Sequence, residues 1–278
     1  MQLTPRYGGR PLITFDLPVG DPSVPCLRQR RRLGLLLAGL DERQWSMPSR
    51  CDGWSVRDVV AHLVGTNRFW TYSITSGLAG KPTRILTTFD PVATPKAMVE
   101  ATSAQSPADL LTEFDETNAA LADVIGNLEA DRWSTVAEAP PGHMSLDAVV
   151  LHALWDSWVH ERDIMLPLGL DPPLEDDELA GSLRYASALG PAFLASLGST
   201  RTGAFAVTAS DSVPTFVVEV GPEVVVRGGA VRDGTPTLTG AAADLIESMS
   251  YRAPPVAMAP ADRWMIDALG QVFDKIGT

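Results

Sequence analysis

Three side chains that can bind a metal ion recur at intervals of four residues in one stretch of the chain: His152, Asp156 and His160. On a helix this spacing places neighbouring side chains on one face, with their Cβ atoms about 5–6 Å apart. Two such side chains can hold one metal ion. A further histidine, His62, lies three residues after Val59, on the flank of an earlier predicted helix that turns toward the interior. Helical bundles build metal sites from side chains that face inward from neighbouring helices.

A site made of two histidines and one carboxylate leaves one coordination position of the metal open. On zinc an open position is typical of catalysis, because water or a substrate thiol bound there loses its proton near neutral pH. We expect zinc, with nickel, iron or manganese as alternatives on imidazole and carboxylate ligands. The same spacing also fits histidines that only form hydrogen bonds within a helix, so both interpretations stay open at this point.

Other residues with reactive or aromatic side chains have simpler interpretations. Cys51 precedes a predicted helix, whose dipole would favour a thiolate, although a small buried side chain is the plainer role. Trp155 and Trp158 are interpreted as core residues rather than as a ligand cage. His143 is predicted to lie in a loop. Asp163 could either orient the imidazole of His160, three residues before it, or form an ion pair with an arginine.

The apolar periodicity predicts a helical bundle followed by a smaller mixed unit. Ser55 and Asp58 form a capping-box pattern at the start of the helix that carries His62. Further helices are predicted over residues 25–40, 107–128, 145–166 and 175–197, and a loop over 77–94. Near residue 201 the period changes to two, which predicts strands at 205–209, 215–220 and 224–231, then helices at 241–251 and 261–276. We therefore predict an α+β fold: an extended arm (1–24), a metal-binding helical bundle (25–200) and a small α+β domain (201–278).

The overall composition excludes some classes of partner. The chain has 278 residues, with 22 basic and 34 acidic side chains and a net charge of −12. Such a charge disfavours binding to nucleic acid or to an anionic membrane surface. The apolar run 33–40 after three arginines has helical spacing and is predicted to form a helix rather than a secretion signal. Two cysteines are too few for a disulfide scaffold, which fits a reducing cytoplasm.

Two motifs around the candidate ligands, and a third near the end of the chain, resemble those of a known family. Residues 48–62 include Gly-Trp-x-Val-x-Asp-x-x-x-His from Gly53 to His62, and this resembles the N-terminal signature of the mycothiol-dependent maleylpyruvate isomerase family. That family is a branch of the DinB-like helical bundles. Residues 154–163 resemble its second metal-binding helix, and residues 238–245 are similar to its small C-terminal domain, which is related to sterol-carrier-like folds.

The resemblance implies a ligand set and a reaction class. It implies that His62, Asp156 and His160 bind a divalent metal, usually zinc, with Asp156 where the family often has glutamate. His152 is then a supporting or plain helix residue, although related bundles with a His-x-x-x-His pair would allow it to replace Asp156. The implied activity is isomerisation or S-transfer on an electrophilic small molecule, with mycothiol as cosubstrate. The alternatives are a metal-dependent hydrolase, or a non-catalytic protein that binds a small ligand on this scaffold.

Overall fold

Four long helices form the bundle predicted for the first part of the chain. The computed structural model describes residues 4–8, 10–211 and 213–272. The four helices are α1 (Ser23–Ala38), α3 (Val56–Leu78), α5 (Pro107–Ile125) and α6 (Leu146–Met165), with short helices α2 (Glu42–Trp45) and α4 (Ala93–Ala101) between them. Helices α1 and α3 each pack against both α5 and α6. Helix α3 is therefore in direct contact with α6 inside the bundle.

The start of α3 follows from a local signal in the sequence. The backbone N–H of Ser55 donates to Oδ2 of Asp58 at 2.9 Å, and the N–H of Asp58 donates to Oγ of Ser55 at 3.3 Å. The predicted capping box is thus confirmed, and it satisfies amides that a helix start leaves unpaired. Val56, Val59 and Val60 behind it are fully buried, so the helix enters the bundle with His62 already turned inward.

A five-stranded sheet follows the bundle, which confirms the α+β class. Its strands are β4 (Gly203–Ala209), β5 (Phe216–Val220), β6 (Val224–Arg227) and β7 (Thr237–Gly240), joined by β1 (Ile13–Asp16) in the order β1-β6-β5-β4-β7. Helix α7 (Asp176–Ser196) contacts α6 on the bundle side and β5 and β6 on the sheet side, and α8 (Ala242–Met249) and α9 (Ala268–Val272) pack against it. Helix α7 therefore links the bundle to the sheet.

The N-terminal arm contributes a strand to that sheet. β1 pairs in parallel with β6, with Ile13 opposite Val224. Its partner strand lies about 200 residues further along the chain, and no short-range sequence pattern predicts this pairing. The division of the chain at residue 200 stays a prediction, because one apolar cluster continues from α6 and α7 into the sheet.

Several predicted local elements were wrong. A hairpin formed by β2 (Val136–Ala139) and β3 (Gly142–Ser145) precedes α6, and α4 begins within the predicted loop 77–94. β6 ends at Arg227, before Gly228 and Gly229, rather than at residue 231. The final predicted helix is interrupted: a single 3-10 turn, Arg263–Met265, is followed by α9, and residues 273–276 lie outside the described residues. Among the described residues, none of the helices combines the length and apolar character that a bilayer span requires.

Candidate metal centre

The three residues implied as metal ligands converge between α3 and α6. Nε2 of His62 lies 3.7 Å from Oδ1 of Asp156, and Nε2 of His160 lies 3.5 Å from the same oxygen. The two imidazole rings have centroids 4.9 Å apart at an interplanar angle of 74°. One ligand atom from each of the three residues lies within 4.8 Å of the other two. Helical spacing on α6 and the packing of α3 against it together produce this arrangement.

The donor set fits a small divalent cation. With metal–ligand bonds of about 2.0–2.1 Å, ligand atoms of a tetrahedral site are separated by about 3.3 Å, slightly less than the 3.7 and 3.5 Å from Oδ1 of Asp156 to His62 and His160. Oδ2 of Asp156 is buried with no hydrogen-bond partner among the described residues. Unpaired buried polar atoms are costly, so a ligand such as a cation would compensate for part of this cost. Nitrogen and oxygen donors of this kind suit zinc and neighbouring transition metals.

The charges around the site favour a positive ion. Burial alone would raise the pKa of Asp156, but the neighbouring imidazoles of His62 and His160 hold it well below its usual range. Burial would lower the pKa of His160, yet the neighbouring Cys51, the hydrogen bond to Asp163 and the negative charge of Asp156 outweigh it and raise that pKa to about 10. The negative surroundings that stabilise a proton on His160 would also favour a metal ion at Nε2, and the two would compete for this nitrogen.

Asp163 holds the imidazole of His160 in position. Its Oδ2 lies 3.0 Å from Nδ1 of His160, on the ring edge opposite Asp156. Metal-bound histidines commonly donate their second N–H to a carboxylate, which fixes the tautomer and leaves the other nitrogen free to bind. Asp163 also accepts from Nη2 of Arg252 at 2.9 Å. The two roles considered for Asp163 from the sequence therefore occur together.

Residues far along the chain complete this support. Arg252, just after α8, also donates to Sγ of Cys51 at 3.4 Å, and Cys51 donates to Oδ2 of Asp163 at 3.2 Å. Arg50 pairs with Glu247 of α8, and Nε of Arg162 lies 2.6 Å from Oε1 of the same carboxylate. The C-terminal part of the chain thus contacts the surroundings of His160 directly. The sequence carried no signal for Arg252 or Glu247, because these contacts join segments far apart in sequence.

His152 lies one turn away from the candidate ligands in an aromatic cluster. Nδ1 of His152 is 2.5 Å from the hydroxyl oxygen of Tyr185 on α7. The imidazole ring also contacts the rings of Trp70 at 4.7 Å and Trp155 at 5.5 Å between centroids. Burial lowers the pKa of His152 to about 4, so the side chain is neutral at pH 7. His152 is absent from the groups of possible metal ligands found among the described residues.

The remaining candidate residues occupy the core or a strand. His143 was wrongly predicted in a loop: it lies in β3, is 3% exposed, and its Nε2 is 2.8 Å from the carbonyl oxygen of Thr83. Trp158 is a core residue as predicted, with the guanidinium of Arg162 over its ring. Trp155 is only partly buried; it packs against the main apolar cluster, and its Nε1–H donates to Oγ of Ser250 after α8 at 3.0 Å.

Comparison with known proteins identifies the family. The family described as the mycothiol maleylpyruvate isomerase N-terminal domain matches residues 26–165, which is half of the chain and includes all three candidate ligands. The chain belongs to this family. Two relatives are uncharacterized proteins of Mycobacterium tuberculosis, MT0041 from strain CDC 1551 / Oshkosh and Rv0036c from strain ATCC 25618 / H37Rv. Each is 25% identical over 239 residues, which cover 83% of this chain and 85% of the relative.

Solved structures share the fold over most of the chain. The crystal structure of the mycothiol-dependent maleylpyruvate isomerase, and that of a histidine-to-alanine mutant of it, both align with a TM-score of 0.59 at 15% identity. The alignment covers 87% of this chain and 93% of the isomerase. The similarity therefore extends beyond the helical bundle into the C-terminal sheet, and at this level of identity it concerns the fold alone.

Proposed function

We propose that the protein is a metal-dependent enzyme that uses a low-molecular-weight thiol, mycothiol, for isomerisation or S-transfer on an electrophilic small molecule. The observation that carries this proposal is the convergence of His62, Asp156 and His160 in a chain of the mycothiol maleylpyruvate isomerase family. We also place the protein in the reducing cytoplasm, because its two cysteines, Cys26 and Cys51, are both free thiols.

The residues of the site have separate roles in this proposal. His62 and His160 would hold the metal through their imidazole nitrogens, and Asp156 would add the negative charge that favours a divalent ion. Asp163 keeps the proton of His160 on Nδ1, so that Nε2 presents its lone pair. The bound ion, zinc in our proposal, supplies a Lewis acid that lowers the pKa of a thiol toward neutrality.

The reaction follows from the chemistry of a thiolate and a conjugated carbonyl compound. The thiolate adds to an electrophilic carbon of a carbon–carbon double bond, a C–S bond forms, and the π electrons move onto the carbonyl oxygen. Rotation about the resulting single bond, followed by departure of the thiolate, gives the geometric isomer. Protonation of the adduct instead of thiol departure gives the S-conjugate. Isomerisation and S-transfer would therefore use the same thiol-binding site.

Metal analysis combined with a turnover assay tests the proposal. The purified, unchelated protein is expected to contain about one zinc or other divalent ion per chain, and to convert maleylpyruvate only when mycothiol is supplied. His160→Ala is expected to lose most of the metal and the activity. His143→Ala, which removes a buried histidine from the hairpin instead, is the matched control and is expected to retain both.

Three results would contradict the proposal in different ways. A protein without bound metal that gains no activity when zinc is added would refute a metal-dependent enzyme. Hydrolysis of a substrate without any thiol would favour the hydrolase alternative, in which water replaces the thiol. Retention of metal by His160→Ala together with its loss in His152→Ala would show that the assigned ligand pair is wrong.

A further inference from the structure

A tyrosine–histidine pair lies one helical turn from the candidate metal ligands. His152 precedes Asp156 by four residues on α6, so their Cβ atoms are separated by about 6 Å. Both members of the pair are buried, with His152 6% exposed and Tyr185 fully enclosed. Neither residue takes part in the ligand set or in the support of His160 described above. Their position next to the site, without a role in metal binding, calls for an explanation.

The hydrogen bond between them has one consistent direction. Tyr185 has no other hydrogen-bond partner than Nδ1 of His152 among the described residues. If Nδ1 carried a proton and donated it, the hydroxyl hydrogen of Tyr185 would be buried without an acceptor, which is costly. Tyr185 therefore donates to Nδ1. Because the imidazole is neutral, its single N–H lies on Nε2.

Two N–H donors of the cluster lack an acceptor. Nε1 of Trp70 is buried with no partner among the described residues, whereas Nε2 of His152 makes no hydrogen bond to another described residue and is not among the fully buried unpaired atoms, so it keeps some contact with solvent. The two rings are 4.7 Å apart between centroids, and Trp155 and Tyr185 surround the imidazole further. Aromatic walls with neutral N–H donors suit a flat molecule that brings an acceptor oxygen.

We infer that His152 is a further catalytic residue: its Nε2–H donates a hydrogen bond to the carbonyl oxygen of a flat, conjugated substrate, and Tyr185 is the positioning residue that fixes this tautomer. The inference rests on the proposed function, since it assigns the place of the electrophile beside the thiol site. When the C–S bond forms, the π electrons of the substrate collect on that oxygen. The proton stays on Nε2 throughout, and the electrons return when the thiolate leaves.

Neutral donors explain why this arrangement would favour the transition state. A carbonyl oxygen in the substrate carries little charge, whereas the same oxygen becomes an enolate as the thiolate adds. A fixed donor in a site with little water stabilises the enolate more than the carbonyl, which raises the rate rather than the affinity. His152 would thus add a binding position for the carbonyl oxygen of the substrate to the proposed thiol site.

Three variants separate this role from a purely structural one. His152→Phe fills the same space without a donor and is expected to lower kcat with maleylpyruvate about 100-fold, with KM, metal content and mycothiol affinity nearly unchanged. His152→Gln keeps an N–H near the position of Nε2, and its kcat is expected to be at least tenfold higher than that of His152→Phe. Tyr185→Phe is expected to lower kcat about tenfold. Tyr7→Phe, which removes another 2.5 Å phenol hydrogen bond, from Tyr7 to Glu138, is the control and should retain full kcat.

A spectroscopic measurement keeps the test independent of turnover. In metal-loaded protein with ¹⁵N-labelled histidine, His152 is expected to show the Nε2–H tautomer, and its resonance should shift when maleylpyruvate is added without thiol. Tyr185→Phe should populate both tautomers. A shift of this resonance without thiol-dependent turnover would refute the proposed reaction and leave the donor role standing.

The contrary results are equally specific. Normal thiol-dependent turnover by a folded His152→Phe would overturn the inference and leave the proposed function intact. Loss of metal in that variant would also overturn it, because His152 would then be a ligand. An Nδ1–H tautomer in the wild-type protein, or no rescue by His152→Gln, would exclude donation from Nε2.

Discussion

The Asp163→Asn substitution removes the negative charge behind His160 while preserving the shape of the side chain. Asp163 is fully buried, and its carboxylate contacts Nδ1 of His160 at 3.0 Å, Nη2 of Arg252 at 2.9 Å and Nε of Arg50 at 3.3 Å. An asparagine oxygen can still accept one of these hydrogen bonds, but it cannot neutralise either guanidinium. The imidazole of His160 would become a weaker and less rigid ligand.

The expected loss of zinc affinity follows from the weakened contact between residue 163 and His160. Changing a partner that orients a metal-bound histidine typically lowers metal affinity 10–100-fold, which corresponds to about 1.4–2.7 kcal/mol in the free energy of metal binding. We expect zinc affinity to fall within this range. The measurement is a competition titration against a chelator of known zinc affinity at pH 7, with circular dichroism to confirm that the variant is folded.

The matched control is another aspartate that pairs with an arginine outside the site. Asp177 at the start of α7 pairs with Arg28 and has a half-exposed side chain. Asp177→Asn should change zinc affinity less than twofold. If Asp163→Asn bound zinc as tightly as the wild type, the orienting role of Asp163 would be refuted. An equal loss in both variants would indicate a general effect on stability instead.

Three further predictions concern the stability of the fold. Ser55→Ala removes the capping box of α3 and should lower the free energy of unfolding by about 1 kcal/mol, measured by urea titration; an unchanged midpoint would contradict the role of the cap. Because the pKa of His152 is about 4 when folded and near 6.5 when unfolded, stability should fall as pH decreases through that window, by roughly 3 kcal/mol at most. Thermal unfolding of the metal-free protein between pH 4 and 7 measures this slope, which His152→Gln should reduce. Gly142→Ala should destabilise the protein by roughly 1–3 kcal/mol, since Gly142 has a φ of +139° and a Cβ there would lie 2.2 Å from the carbonyl oxygen of Arg6; a wild-type melting temperature would refute this.

Local pattern predicted several parts of the fold that depend on near neighbours in the chain. The capping box at Ser55 was predicted because its two members are three residues apart. The shared face of Asp156 and His160 follows from the helical period, and the change to a period of two marks β4 and β5. Each of these features depends on contacts within about one helical turn or on one strand.

Other features were not predicted, some of them local and some dependent on contacts between distant segments. The hairpin before α6 was missed because its strands are four residues long and contain no sustained alternation. The predicted loop 77–94 extended over the start of α4, because its prolines and glycines suggested irregular structure throughout. No sequence pattern near Tyr185 predicts its contact with His152, because the two side chains belong to different helices that only packing brings together.

The sequence by itself predicted the helical bundle, the α+β class and, through the family resemblance, three candidate metal ligands. The tertiary structure decided how those residues are supported. It places Arg252 against Asp163 and Cys51, Tyr185 against His152, and β1 beside β6. These pairs are distant in sequence, so their contacts depend on how the elements pack and on which buried polar groups find partners, and neither is encoded in a local period. The chemistry that we propose for His160 and His152 therefore depends on contacts made by the whole fold.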